Sequence, residues 1–385
     1  MIKKFLLLFL CLFSVVTLIC YLNINTKAIN EDNSFLQDAK SGCLIECKTG
    51  KIIYGKNEND RLAPASMTKI MTMILVMEKI YNGDINYSDM VITPKEASSL
   101  GGSQIYLCEG EKMSVHDLLK AMCIASANDA AMSLGIYVGG TEKLFVNKMN
   151  EKAKEIGLEN TNFINPYGFD DPNHYSSSYD MAKMASFLIN NYPDILKYTC
   201  IYEDYVREDT EKRFWLVNTN KLVKFVDGVD GLKTGWTDNS GYCLTATISK
   251  NNERFIAVAM GSSSPTIRNK EITELLQYGI NTYETIQLIK KGDIIDEIKD
   301  VSISPKHIVL KATNDVIILK KKTDKLKNYN INKVINLQNQ EFYVDVFYDD
   351  MLYCRIILDP QTNIKKSNIF ELLFEVIKEL FLGSN

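Results

Sequence analysis

Apolar residues fall into three kinds of pattern along the chain. Residues 5–10, continuing to about residue 22, are almost unbroken apolar and follow Lys3 and Lys4. Residues 70–77 form a second dense block behind Pro64, predicting a helix that starts at the proline and is buried on most sides. Residues 116–124 repeat apolar positions at helical spacing and stop at Ser126-Ala127-Asn128-Asp129. A further helix over about 130–137 then runs into Gly139-Gly140. The third pattern is short and β-branched. Residues 242–248 and 254–260, joined by a polar turn at 250–253, predict an antiparallel pair.

From residues 287–293 onward the pattern changes. Short strands are predicted at 308–312, 316–319, 341–347 and 352–358, with turn signals between them. These define a small β-rich domain over 287–362, in which Lys320, Lys321 and Lys322 read as a solvated edge. After it, Asn368, Glu371, Glu375, Lys378 and Glu379 recur at helical spacing among apolar residues. That is an amphipathic helix, too short and too charged to span a bilayer. Segment 363–385 is expected to lie on a membrane surface, with packing on the protein or a second copy as the alternative.

The N-terminal run has the form of a signal peptide, residues 1–28, with small residues suited to cleavage after Ala28; an uncleaved anchor is the alternative. Export to the outer face of the membrane or the cell wall follows. Nine cysteines then reduce to seven in the mature chain, an odd number. Cys43 and Cys47 on one strand would lie too far apart to pair, and Cys123 and Cys243 sit in apolar runs. No obligatory disulfide framework is expected. With 385 residues and 46% hydrophobic content, one large or two ordinary domains can form. A formal charge of −4 gives no case for a nucleic-acid partner. His116, His174 and His307 lack zinc-ligand spacing, and no phosphate-cradling glycine loop is present, so neither metal nor cofactor is expected.

Three motifs carry chemistry. Ser66-Met67-Thr68-Lys69 opens the dense apolar helix, and positions i and i+3 share a face, setting the Lys69 amine near the Ser66 hydroxyl. Burial lowers a lysine pKa, and a neutral amine can take the serine proton. A serine at a helix start also has backbone N–H groups for a developing oxyanion. Ser126-Ala127-Asn128 lies at a helix junction; it reads either as a cap for the next helix or as a hydroxyl and an amide for proton relay and substrate binding. Lys233-Thr234-Gly235 precedes the predicted strand pair, and its glycine is expected to let a substrate backbone approach closely.

Each motif is weak alone, but their order and spacing form the set used by serine enzymes that acylate on D-alanyl peptides or β-lactam rings. The chain resembles the D-alanyl-D-alanine carboxypeptidases, low-molecular-weight penicillin-binding proteins of the serine peptidase type, over about residues 35–360. Asn165-Pro166-Tyr167-Gly168, His174-Tyr175-Ser176, Asp180-Met181-Ala182 and Asn218-Thr219-Asn220 are family-like too. The resemblance implies an α/β (α+β) penicillin-binding/β-lactamase-like catalytic domain over 29–286, an antiparallel sheet flanked by helices. It implies Ser66 as nucleophile, Lys69 as general base, and Ser126 and Asn128 in proton relay and positioning. Lys233, Thr234 and Arg268 would bind the terminal carboxylate. The backbone N–H groups of Ser66 and Trp236 would form the oxyanion hole beside Gly235. Tyr167 stands where family members often have His, and no role is assigned to it.

The implied substrate is a peptidoglycan stem peptide ending in D-Ala-D-Ala, with β-lactams acylating the same serine. D,D-Endopeptidase action on cross-linked stems uses the same residues and stays open. A β-lactamase needs a glutamate-bearing loop for deacylation, and the nearest string, residues 155–159, lacks the expected asparagine. A non-enzymatic sensor would carry several spanning helices, and a silent scaffold would not keep all three motifs intact.

Overall fold

The computed structural model describes residues 35–300, 303–326, 329–337, 339–348, 350–367, 373 and 377. The leader expected at 1–28, and the amphipathic helix expected after Ser367 except for Leu373 and Ile377, lie outside them. The chain divides into two compact units, Met1–Asn281 and Thr282–Asn385.

The first unit is organised by a five-stranded antiparallel sheet. In chain order its strands are β1 (Ser41–Glu46), β2 (Ile52–Lys56), β3 (Val229–Thr237), β4 (Gly241–Lys250) and β5 (Glu253–Ser262). They line up β2-β1-β5-β4-β3, so the chain's two ends of this unit meet in the middle of the sheet. β1 and most of β5 are buried, whereas β2 at the edge is only half-buried. A strand covered on both faces reads as a near-continuous apolar run, which is why β4 and β5 were legible. β2, interrupted by Gly55, gave no strand signal.

The helices are α1 (Lys69–Tyr81), α2 (Val115–Ile124), α3 (Asn128–Gly139), α4 (Glu142–Ile156), α5 (Ser178–Asn191) and α6 (Pro265–Thr282). α1 is buried at every position from Lys69 to Met77. It runs through the centre of the core, packing on α3 and α5. Truncating any one of its Ile, Leu or Met side chains to Ala would cost roughly 2–5 kcal/mol. Side-chain caps start α2, α4 and α5, where Ser114, Thr141 and Ser177 accept from the amides of Asp117, Leu144 and Asp180.

Over residues 283–366, the described part of the second unit is built from β-strands. A five-stranded antiparallel sheet runs Ile294–Lys299, His307–Ala312, Met351–Asp359, Glu341–Tyr348, Tyr329–Asn336, beside a pair formed by Tyr283–Ile289 and Val316–Lys321. Four of these strands coincide with the predicted ones. Tyr283–Ile289, Ile294–Lys299 and Tyr329–Asn336 were not anticipated, since charged and amide residues interrupt or crowd their apolar positions. Lys320 corrects the expectation of a solvated lysine edge. It is buried, 2.5 Å from Glu284 and donating to the Asp324 carbonyl at 2.8 Å.

Candidate active site

Ser66 sits on a single 3₁₀ turn, Ala65–Thr68, between Pro64 and α1. Ala65 has φ +47, a left-handed conformation that costs an L-residue roughly 1–2 kcal/mol and is held by its surroundings. Two glycines supply those surroundings. A Cβ on Gly235 of β3 would lie 2.8 Å from the Pro64 carbonyl oxygen and 3.3 Å from the Met67 amide. A Cβ on Gly168, at φ +95, would strike the Ala65 carbonyl. Besides the close substrate approach expected of it, Gly235 has a second reason to lack a side chain. It makes room for the nucleophile's own backbone, because β3 packs directly on the turn.

Lys69 is fully buried. Its Nζ lies 2.9 Å from Ser66 Oγ, 2.7 Å from Asn128 Oδ1 and 2.8 Å from the Tyr167 carbonyl oxygen. Burial holds its pKa well below the ordinary lysine value, and the charge of Lys233 lowers it further, while Asp129 opposes both. A neutral amine has two N–H bonds and one lone pair. In that form the Asn128 and Tyr167 oxygens would accept the two N–H bonds, and the lone pair would be free for the Ser66 hydroxyl proton. Its burial keeps the Lys69 amine out of solvent.

Asn128 is not a cap. The residue before α3 is Ala127, which makes no side-chain cap. Asn128 instead bridges, its Oδ1 on Lys69 and its Nδ2 donating to the Gly101 carbonyl at 2.8 Å. Ser126 is buried in a left-handed conformation at φ +63. Among the described residues no hydrogen bond joins Ser126 Oγ to Ser66, Lys69 or Lys233.

Lys233 is buried on β3, with Nζ donating to the Thr234 carbonyl at 3.1 Å, and burial lowers its pKa to about 7. Thr234 Oγ1 donates to Thr219 Oγ1 at 2.7 Å. Cys243 lies opposite Gly235 in the neighbouring strand, and its carbonyl accepts from Arg268 at 3.2 Å. That contact places the buried guanidinium beside the Lys233-Thr234-Gly235 segment, where burial pulls its pKa down to about 10. No carboxylate forms an ion pair with Lys69, Lys233 or Arg268 among the described residues. Buried Arg268, without a carboxylate partner among these, favours an anionic ligand. The Trp236 ring is exposed and lies 6.0 Å from that of Tyr242.

Several contributors were not read from the sequence. Tyr167 acts through its carbonyl, so its side-chain type carried no signal. Asn165 Oδ1 accepts from the amides of Tyr167, Gly168 and Phe169 at 3.3, 2.6 and 3.1 Å and so shapes that loop. An Asn ahead of Pro and Gly is a turn signal that could have marked it. Thr68 Oγ1 and His174 Nε2 are 2.8 Å apart, and His174 Nδ1 accepts from the Ile164 amide, tying the same loop to the serine turn. Glu155 is engaged with Lys152 at 2.7 Å and makes no contact with the serine. Among the described residues no cluster of three His, Cys, Asp or Glu could hold a metal, and no helix is long and apolar enough to cross a membrane.

Comparison with known proteins agrees with this geometry. Residues 27–264 match the S11 peptidase family described as D-alanyl-D-alanine carboxypeptidase. The chain is 49% identical over 302 residues to D-alanyl-D-alanine carboxypeptidase DacF of Bacillus subtilis, covering 78% of this chain and 77% of that one. Penicillin binding protein 5 from Haemophilus influenzae has a similar structure, with a TM-score of 0.76 at 28% identity over 87% of this chain and 99% of its own. Penicillin-binding protein D2 from Listeria monocytogenes, solved in a cefotaxime-bound form, gives 0.59 at 29% identity over 65% of this chain and all of its own. The chain therefore belongs to the D-alanyl-D-alanine carboxypeptidase family of serine peptidases.

Proposed function

We propose that this serine-type D-alanyl-D-alanine carboxypeptidase removes the terminal D-alanine of peptidoglycan stem peptides through an ester on Ser66. One observation carries the assignment of roles: the buried Lys69 amine, 2.9 Å from Ser66 Oγ and held by the Asn128 and Tyr167 oxygens, in surroundings that disfavour its charged form. Ser66 Oγ bonds to the penultimate D-Ala carbonyl carbon as its proton passes to Lys69 Nζ. The carbonyl oxygen becomes an oxyanion, received by the N–H groups of Ser66 and Trp236. The C–N bond breaks, the departing amine takes the proton, with Ser126 as relay, and D-alanine leaves. Water then adds to the ester carbonyl as its proton passes to Lys69, the acyl C–Oγ bond breaks, Ser66 Oγ takes the proton from Lys69, and the shortened peptide leaves as its carboxylic acid. Lys233, Thr234 and Arg268 hold the substrate's terminal carboxylate, and Asn128 positions its amide chain.

A β-lactam presents the same carboxylate and carbonyl and acylates Ser66. An exported enzyme at the cell wall follows from such a substrate, with the 363–385 segment on the membrane surface. The test is mass spectrometry of the full chain and of Ser66→Ala with a penicillin and with diacetyl-Lys-D-Ala-D-Ala. The expected result is a penicilloyl adduct on Ser66 and released D-alanine in the wild type, neither in the variant. Rapid penicillin turnover without D-alanine release would replace the reading with a β-lactamase.

A further inference from the structure

Asp129 follows Asn128 and is almost fully buried, yet it pairs with no lysine or arginine among the described residues. Its carboxylate accepts from backbone amides: Ile105 at 3.2 and 3.1 Å, Leu107 at 3.0 Å and Ala130 at 2.9 Å. Ile105 and Leu107 belong to a stretch, residues 101–107, that forms no helix or strand. The same stretch supplies the Gly101 carbonyl that receives Asn128 Nδ2 and the Ser103 carbonyl that receives the Asn128 amide at 2.7 Å. Tyr106 between the two anchored amides is left-handed, at φ +59, so the loop needs something to hold it.

We infer that Asp129 is a positioning residue for the proposed acylation, pinning residues 101–107 so that Asn128 is locked onto Lys69 while a negative charge stands behind the amine. The inference rests on Lys69 acting as the base for Ser66. Without the Asp129 anchor the Gly101 and Ser103 carbonyls lose their fixed places, and Asn128 Oδ1 is no longer constrained to 2.7 Å from Lys69 Nζ. The charged groups facing Lys69 are Lys233 on β3 and Asp129 on α3; Arg268 of α6 and Cys123 of α2 act in turn on Lys233. Asp129 is the one anion among them that raises the Lys69 pKa directly, keeping the base strong enough to take a hydroxyl proton.

The test measures the pH dependence of Ser66 acylation by a fluorescent penicillin in the full chain, for the wild type, Asp129→Asn and Asp129→Glu. In Asp129→Asn the acid limb moves lower, because Lys69 loses the charge that opposes its burial, and the plateau rate falls about tenfold. Asp129→Glu keeps the charge and the position of the limb while losing rate. A purely structural role would lower the rate without moving the limb, and that outcome overturns the inference. A second measurement needs no variant. Amide exchange in the wild type is expected to be slow at Ile105 and Leu107, and exchange there as fast as in open loops overturns it too. A wild type that is not acylated at all would remove the carboxypeptidase reading itself.

Discussion

Replacing Gly168 by Ala tests whether backbone packing holds the nucleophile in place. Gly168 has φ +95, where an L-residue pays roughly 1 kcal/mol, and its Cβ would strike the Ala65 carbonyl and come within 2.9 Å of the Ser66 amide. Those neighbours are main chain and cannot rotate away, so overpacking adds about 1–3 kcal/mol. The sum is ~2–4 kcal/mol, or a fall of about 6–12 °C in Tm at roughly 3 °C per kcal/mol for a unit of this size. Relief of the clash must move either the Ser66 turn or the Tyr167 carbonyl, which holds Lys69 at 2.8 Å. Losing one such hydrogen bond to a neutral amine is worth roughly 0.5–1.5 kcal/mol, so acylation slows about 2- to 10-fold. Gly50→Ala is the matched control, at φ +66 with open space around its Cβ. It is expected to lose only the backbone part, about 3 °C, with acylation unchanged. The assays are thermal unfolding and the second-order rate of penicillin acylation. Gly168→Ala acylating within twofold of wild type would refute the clamp.

His174 gives a stability prediction with a defined sign. Burial pushes its pKa down to about 4, below the free value of 6.5, so on acidification the unfolded chain takes the proton first. Stability is full above pH 6.5 and falls as pH drops toward 4, by up to ~3 kcal/mol, and denaturant unfolding of wild type against His174→Gln should lose that slope. Arg268→Ala should lower kcat/KM for a D-Ala-D-Ala peptide about tenfold or more, with a smaller loss for the peptide amide, which lacks the carboxylate. Equal losses for both would remove Arg268 from carboxylate binding. Among the described residues Cys108 and Cys200 are exposed thiols and Cys43, Cys47, Cys123 and Cys243 are buried ones. Alkylation of the native protein should label the exposed pair first, and reductant should leave Tm unchanged.

Much of the fold could be read because local pattern and final environment agree. The dense apolar block after Lys69 became the part of α1 buried from Lys69 to Met77, and the β-branched runs became β4 and β5. The edge strands β2, Ile294–Lys299 and Tyr329–Asn336 were missed, since half-exposed positions accept Gly, Asn and Lys without a clear period. Lys320 misled for the opposite reason. A lysine run reads as solvated until a carboxylate distant in sequence, Glu284, is brought to it.

The site divides along the same line. The helical spacing of Ser66 and Lys69 is a local property, so their contact was determined by four consecutive residues and the 3.6-residue repeat. The neutral base was not. It depends on a dry environment, on Lys233 and Asp129, and on oxygens from Asn128 and Tyr167, 59 and 98 residues away in the chain. Likewise Gly235 carried a strand signal, but what it approaches, the backbone of Pro64 and Met67, exists only once β3 is docked on the serine turn. Motifs name the groups that can react. Long-range packing sets their dielectric, their hydrogen-bond partners and their backbone strain, because each of those is a sum over neighbours that the chain's order does not specify.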